Sequence, residues 1–234
     1  FPARMLSVRA VGSNEPLFIF FILVSLAWAI KERYWASALA GVLAVLTRSP
    51  GILLFAGYGL TWLNSREKWA LKTKKYYPYL IMPVALIALF AFYGLRYQDP
   101  LAYFHSGDNL HLFFPPFTIF SNMATWINDM WREDIIYLYV FYGVGLFMID
   151  KKWQVIRNYG LLYGLVLLFV AHRDLSRYAL PIAPLALLGY APLLTRIPKK
   201  TWWAVGIVLI PIYLLGWQFV LKNIQPISNW SVLL

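Results

Sequence analysis

Apolar residues gather along this chain in long blocks, at about 16–30, 35–46, 51–63, 79–95, 135–149, 155–171, 178–194 and 202–221, with charge concentrated in the stretches between them. Blocks of this length predict about eight helices that cross a membrane, two of them shorter than the roughly 20 residues of a full crossing. The short pair, 35–46 and 51–63, flanks Thr47-Arg48-Ser49-Pro50-Gly51. Pro50 and Gly51 end one helix and let the next begin, which predicts a broken pair of helices with its break at membrane depth.

The longest connection runs over 96–134, well beyond an ordinary loop, and is expected to carry function or structure of its own. After Pro115-Pro116 it sets Ile119, Phe120, Met123, Trp126, Ile127, Met130 and Trp131 at helical spacing, opposite Asn122, Thr125, Asn128, Asp129 and Arg132. That pattern predicts an amphipathic helix in the outer interface, with tryptophans at headgroup level. The expected fold class is therefore all-α: a polytopic transmembrane bundle of about eight helices plus this interfacial one.

Composition agrees with the pattern. Of 234 residues, 61% are hydrophobic and 13% charged, against roughly 25% charged in soluble domains. A soluble fold has no interior large enough for that apolar content. The absence of cysteine excludes a disulfide framework, thiolate chemistry and cysteine metal sites. Residues 1–234 read as one domain without internal repeats. The chain opens FPARMLSVRAVG, with neither an initiator Met nor a signal peptide, so it is expected to be a fragment that lacks its N-terminal part.

The formal charge of +11 raises the question of an anionic partner, and its distribution answers it. With the N-terminus outside, thirteen of the 21 basic residues, including nine of ten lysines, fall in inside loops, as the positive-inside rule requires. The outer side holds seven of ten acidic residues, seven of eleven arginines and all three histidines. Arginine favours planar, bidentate contact with phosphate or carboxylate. The partner expected from this distribution is an anion handled on the non-cytoplasmic face, and not nucleic acid; the alternative is that these arginines snorkel and pair with nearby acids.

Four groups carry candidate chemistry. Glu15, in Ser13-Asn14-Glu15-Pro16, either caps a helix at the positive end of its dipole, accepts hydrogen bonds from a sugar, or orients a basic partner. Arg48 is the sole charge in 35–63, which makes it either a functional group facing a cavity or a snorkelling anchor. In His172-Arg173-Asp174-Leu175-Ser176-Arg177-Tyr178 the two arginines stand four apart, as on one helical face, and Asp174 can reach Arg177 or Tyr178. They hold a phosphate, or Asp174 and Arg177 merely satisfy each other. The fourth group, Asp99, His105, Asp108 and His111, matches no metal-ligand spacing and reads as turns with a substrate-contact role open.

The run SNEPLF, a helix, KERYW, a short helix, LTRSPGILL, DPLAYFH and finally HRDLSRYALPIAP resembles the GT-C superfamily of integral-membrane glycosyltransferases. It is most similar to the mannosyltransferases that add the second mannose in GPI-anchor synthesis and to their prokaryotic relatives, over Ala3 to about Pro184. The resemblance implies a hexosyltransferase that takes sugar from a polyprenyl-phosphate donor and gives it to a lipid or glycan acceptor, in a prokaryotic plasma membrane rather than the endoplasmic reticulum. In that family an acidic residue in the first outer loop acts as base or metal ligand, so a divalent cation stays open as cofactor, and the principal catalytic acid is expected upstream of Phe1. Arg48, Arg173 and Arg177 are then expected on the phosphate, with His172 and Tyr178 beside them in the same motif. Glu15 and Asp174 are expected at sugar hydroxyls or holding the arginines, and His105 and Asp108 near the acceptor. The rival class is a polytopic transporter or lipid flippase for an anionic substrate; such proteins place ionisable residues inside their spans, and the helices after Ile135 have none in their interiors.

Overall fold

The computed structural model describes residues 3–10, 12–105, 112–121, 127–172 and 174–223. These form helices α1 (Ala3–Ala10), α2 (Glu15–Ile30), α3 (Tyr34–Thr47), α4 (Leu53–Asn64), α5 (Trp69–Tyr76), α6 (Ile81–Tyr97), α7 (Ala102–His105), α8 (Asp129–Met148), α9 (Gln154–Leu167), α10 (Leu175–Tyr178), α11 (Ala183–Leu194) and α12 (Trp202–Asn223). Among the described residues the only β pairing is an isolated bridge between Leu112 and Val170. Three segments are long and apolar enough to cross a membrane: Trp69–Tyr97, Leu175–Leu194 and Lys199–Gln218. Shorter apolar helices are α2 and α3. The outward faces are apolar too, with Ile87, Leu95, Trp203 and Leu221 all exposed. So much solvent-facing apolar area has no place on a water-soluble monomer.

Local chemistry explains the element boundaries. Pro16 occupies the first turn of α2, where its missing N–H is no loss. The helix ends in a Schellman arrangement: Arg33 N–H donates to the Trp28 carbonyl at 2.9 Å and Glu32 N–H to the Ala29 carbonyl at 3.0 Å. Glu32 takes the left-handed position at φ 57°, where glycine is the usual occupant. α3 returns antiparallel and stops at Arg48, whose backbone is extended at φ −153° and ψ 132°. A 3₁₀ turn, Ser49–Ile52, then leads into α4. The break expected at 47–51 is therefore present, and it folds back tightly: a Cβ on Gly51 would lie 2.6 Å from the Ala44 carbonyl carbon.

The core lies where α2 packs on α3, α3 on α6, α4 on α9, and α8 on α11, and includes Phe18, Ile22, Leu26, Leu54, Tyr58, Tyr79, Met82 and Tyr159. α8 and α11 cross backbone to backbone. A Cβ on Gly145 would stand 2.7 Å from the Ala186 carbonyl oxygen, and one on Gly189 would overlap the Gly145 carbonyl, the close approach that small residues permit between helices in lipid. Towards the turn end of the α2–α3 pair, Ser25 and Ser37 exchange hydrogen bonds with each other's carbonyls at 2.8 and 2.7 Å. The Tyr58 and Tyr79 hydroxyls close on them, Tyr58 at 2.7 Å from Ser25 and Tyr79 at 3.2 Å from Ser37. These hydroxyls are buried and each has a partner, as polar groups in an apolar interior must.

Two features depart from the sequence reading. The segment 3–10, which has no long apolar run, is a helix packed against α12 and α2. The amphipathic helix expected through Ile119–Trp131 is not continuous in its described part. Thr118–Phe120 is one 3₁₀ turn, 122–126 lie outside the described residues, and Asn128 is extended and caps α8 by accepting from Trp131 N–H at 2.8 Å. That cap transfers Met130 and Trp131 to the first turn of α8, because an Asn side chain there satisfies a helix N–H that would otherwise be orphaned. The start of the connection's second half is pinned over the end of α9 by Phe113 and Phe117 N–H groups, which donate to the Phe169 and Leu168 carbonyls at 2.7 Å each.

Candidate functional site

The antiparallel α2–α3 hairpin brings the first residue of α2 against the residue that ends α3. Glu15 is only 1% exposed, and its Oε1 accepts from Arg48 Nη1. Asn14 Nδ2 fastens the same end by donating to the Thr47 carbonyl at 3.3 Å. The second guanidinium arrives from α10: Arg177 Nε donates to the same Oε1 at 2.6 Å. The other oxygen, Oε2, is buried and has no hydrogen-bond partner among the described residues.

Around this triad stand the rest of the motif. The Arg48 guanidinium lies 5.5 Å from the centre of the Tyr178 ring, a cation–π arrangement. His172 meets the same ring edge-on at 4.9 Å and 87°. Its Nδ1 accepts from the Asp174 N–H at 2.9 Å, which puts the proton of a neutral ring on Nε2. Tyr163 donates to the Tyr178 carbonyl at 3.1 Å from the adjacent helix α9. Asp174 accepts from Arg4 Nη2 at 2.8 Å, so its partner is Arg4, and neither of the partners the sequence offered, Arg177 and Tyr178.

Of the sequence-derived site residues, Glu15, Arg48, His172, Asp174, Arg177 and Tyr178 thus converge. Arg173 and Asp108 lie outside the described residues, as does His111. His105 has a separate partner, with Nδ1 donating to Asp99 Oδ2 at 2.7 Å while Asp99 Oδ1 accepts from Leu101 N–H at 2.9 Å. The His105 ring beside it holds the Asp99 carboxyl below the usual carboxylate range. The pair lines a cavity of about 480 Å³ with Tyr93, Tyr97 and Tyr103. Tyr103 is also near enough to Tyr163 and Tyr178 to act on them electrostatically, so α7 neighbours the cluster through Tyr103. Among the described residues no group of three or more His, Asp or Glu is placed to hold a metal ion.

Sequence reasoning missed Arg4. A signal existed in Met5 and Val8, three apart, with Val8 in a small core beside Ile19 and Leu180 and Met5 packed against it, but an eight-residue helix offers little periodicity to detect. With Arg4 included, the described cluster holds three guanidiniums against two carboxylates, an excess of one positive charge. Arg177 uses Nε on Glu15, and its side chain is 36% exposed, so its two terminal nitrogens can face a ligand. Arg48, at 14% exposure, is enclosed between Glu15 and the Tyr178 ring. The arrangement, a partly exposed guanidinium held by a buried carboxylate, has the chemistry to accept an anion. No family model, curated protein or solved structure matches the chain.

Proposed function

We propose that the protein is a multi-pass membrane glycosyltransferase of GT-C type, with about eight crossings and its N-terminus outside, acting in the plasma membrane of a prokaryote. It moves a hexose, mannose by resemblance, from a polyprenyl-phosphate donor to a lipid or glycan acceptor on the non-cytoplasmic face. The observation that supports this reading best is the convergence of Arg48 and Arg177 on the single buried carboxylate of Glu15, with the Arg4–Asp174 pair beside them.

In this reaction the acceptor hydroxyl oxygen attacks the anomeric carbon, a general base takes the hydroxyl proton, and the bond from the anomeric carbon to the phosphate oxygen breaks with its electron pair going to the phosphate. Charge builds on the departing lipid phosphate, and fixed cations aimed there lower the barrier. The outward nitrogens of Arg177 are the direct contact. Arg48 adds field from behind the Tyr178 ring. Glu15, already bound by two guanidiniums, acts by aligning them, since a carboxylate so engaged is a weak proton acceptor.

Incubation of membranes containing the full chain with labelled polyprenyl-phosphate mannose tests the proposal. Label is expected to move to an acceptor; label that stays on the carrier while substrate crosses the bilayer means a transporter. Arg177→Lys is expected to slow transfer by at least about tenfold at equal expression and folding, because an ammonium cannot reproduce a planar two-donor contact. Unchanged turnover in that variant removes Arg177 from the phosphate.

A further inference from the structure

The opposite end of the α2–α3 hairpin carries a second cationic site that the transferase reading does not use. The tight turn after α2 and the α5 segment frame an open hollow of about 530 Å³, lined by Glu32, Arg33, Tyr34, Trp35, Lys74 and Lys75 among others. That volume is within the range of small-molecule sites, roughly 300–1,000 Å³. Lys75 is already engaged, donating to Glu67 at 2.6 Å. Arg33 and Lys74 make no side-chain hydrogen bond or ion pair within the described residues, so two cations line the hollow uncommitted; Glu32 is the one acid in its lining, and Glu67 stands beside it on Lys75.

The surrounding groups are those of a membrane interface. Trp35 and Tyr77 form an edge-to-face pair at 5.5 Å on the wall of the hollow, and both are about half exposed. Further along α5, Lys72 lies over the rings of Trp62 and Trp69 at 4.7 and 5.2 Å. Indole and phenol rings settle at headgroup depth, and lysines next to them attract anionic lipid. The backbone contributes as well. Glu32 occupies a left-handed position that suits glycine, at a cost of about 1 kcal/mol, and the turn it closes holds Arg33 at the rim.

We propose that this hollow binds a phosphate-bearing anion, the headgroup of an anionic phospholipid, through Arg33 and Lys74 with Trp35 and Tyr77 against its glycerol region. The site is independent of the transferase chemistry and requires only that this end of the hairpin lie at a membrane surface.

The test uses the full chain in nanodiscs of zwitterionic phosphatidylcholine containing a small fraction of spin-labelled phosphatidylglycerol, with the immobilised lipid fraction as readout. The R33Q/K74Q variant is expected to lower retention of the label about tenfold, while R33K/K74R retains it. A K199Q/K200Q control removes the same charge from the turn before α12 and is expected to leave retention within twofold. Equal loss in the control, or no loss in R33Q/K74Q, overturns the site, because general surface charge then explains the attraction. Inorganic phosphate at millimolar concentration separates the sources. Displacement of the label means that phosphate alone satisfies the site, and retention means that the lipid headgroup is required. Unchanged thermal midpoints across the variants exclude unfolding as the cause.

Discussion

The two ends of the α2–α3 hairpin stand about 24 Å apart, the rise of a 16-residue helix, and treat the same ingredients in opposite ways. At the Glu15 end the acid is buried and two guanidiniums close on one of its oxygens. At the Glu32 end the acid is exposed, its backbone is strained, and Arg33 and Lys74 stay open. Charge type therefore says little about what a cationic cluster does. What matters is whether an acid is desolvated among the cations: if it is, they are committed to it, and if it is not, they stay available to a partner from outside. Ser25 and Ser37, between the two ends, show a third solution, in which neutral hydroxyls satisfy one another and no charge is needed.

Removing the acid at each end separates these cases most strongly. Glu15→Gln keeps the shape but takes the counter-ion from the enclosed Arg48 and the partly exposed Arg177, and is expected to destabilise the folded chain by about 3 kcal/mol. Chemical unfolding in detergent micelles checks this, and a loss under about 0.5 kcal/mol means that Glu15 does not organise the arginines. Ser37→Ala strands the hydroxyl of Tyr79 in the apolar interior, while Tyr58 keeps Ser25, and is expected to cost about 2 kcal/mol in the same assay. At the other end Glu32→Gly has the opposite sign. It relieves the left-handed strain and is expected to raise stability by about 1 kcal/mol, whereas a loss means that the Glu32 side chain holds the turn.

The smallest effect is at the exposed Asp99–His105 pair. Its lowered carboxyl value means that the favourable contact is present above the ordinary carboxylate range, near pH 3.9, and is lost only as pH falls through the lowered value. Between pH 5 and 8 no change in stability from Asp99 is expected. Carboxyl-carbon NMR is expected to show a midpoint below the ordinary one, moving up toward it in His105→Ala. A wild-type midpoint at the ordinary value means that the pair does not persist in solution.

Much of this molecule was legible in its residues because the information is local. The helices formed where apolar blocks lay, the break fell at Arg48-Ser49-Pro50-Gly51, and Glu15 with Pro16 began a helix, since periodicity, proline and capping act within a few residues. Even the meeting of Glu15 with Arg48 is nearly local, because a tight turn between two helices of similar length forces their far ends together. The helix α1 was not legible, being too short to show a period. The capping of α8 by Asn128 was hidden by neighbouring residues that continue the apolar spacing across it.

The sequence by itself determined an all-helical chain with membrane-crossing character, lysines gathered into a few loops, and a short list of arginines and acids free of any metal-ligand pattern. Only the tertiary structure decided which charges meet. Arg177 reaches Glu15 across 162 positions and Arg4 reaches Asp174 across 170, and no local rule selects those pairs over the several others that the same eleven arginines and ten acids allow. Their selection rests on helix packing. An ion pair gains little energy in water and much where packing excludes water, so the contacts that order the site form where the folded bundle closes over them.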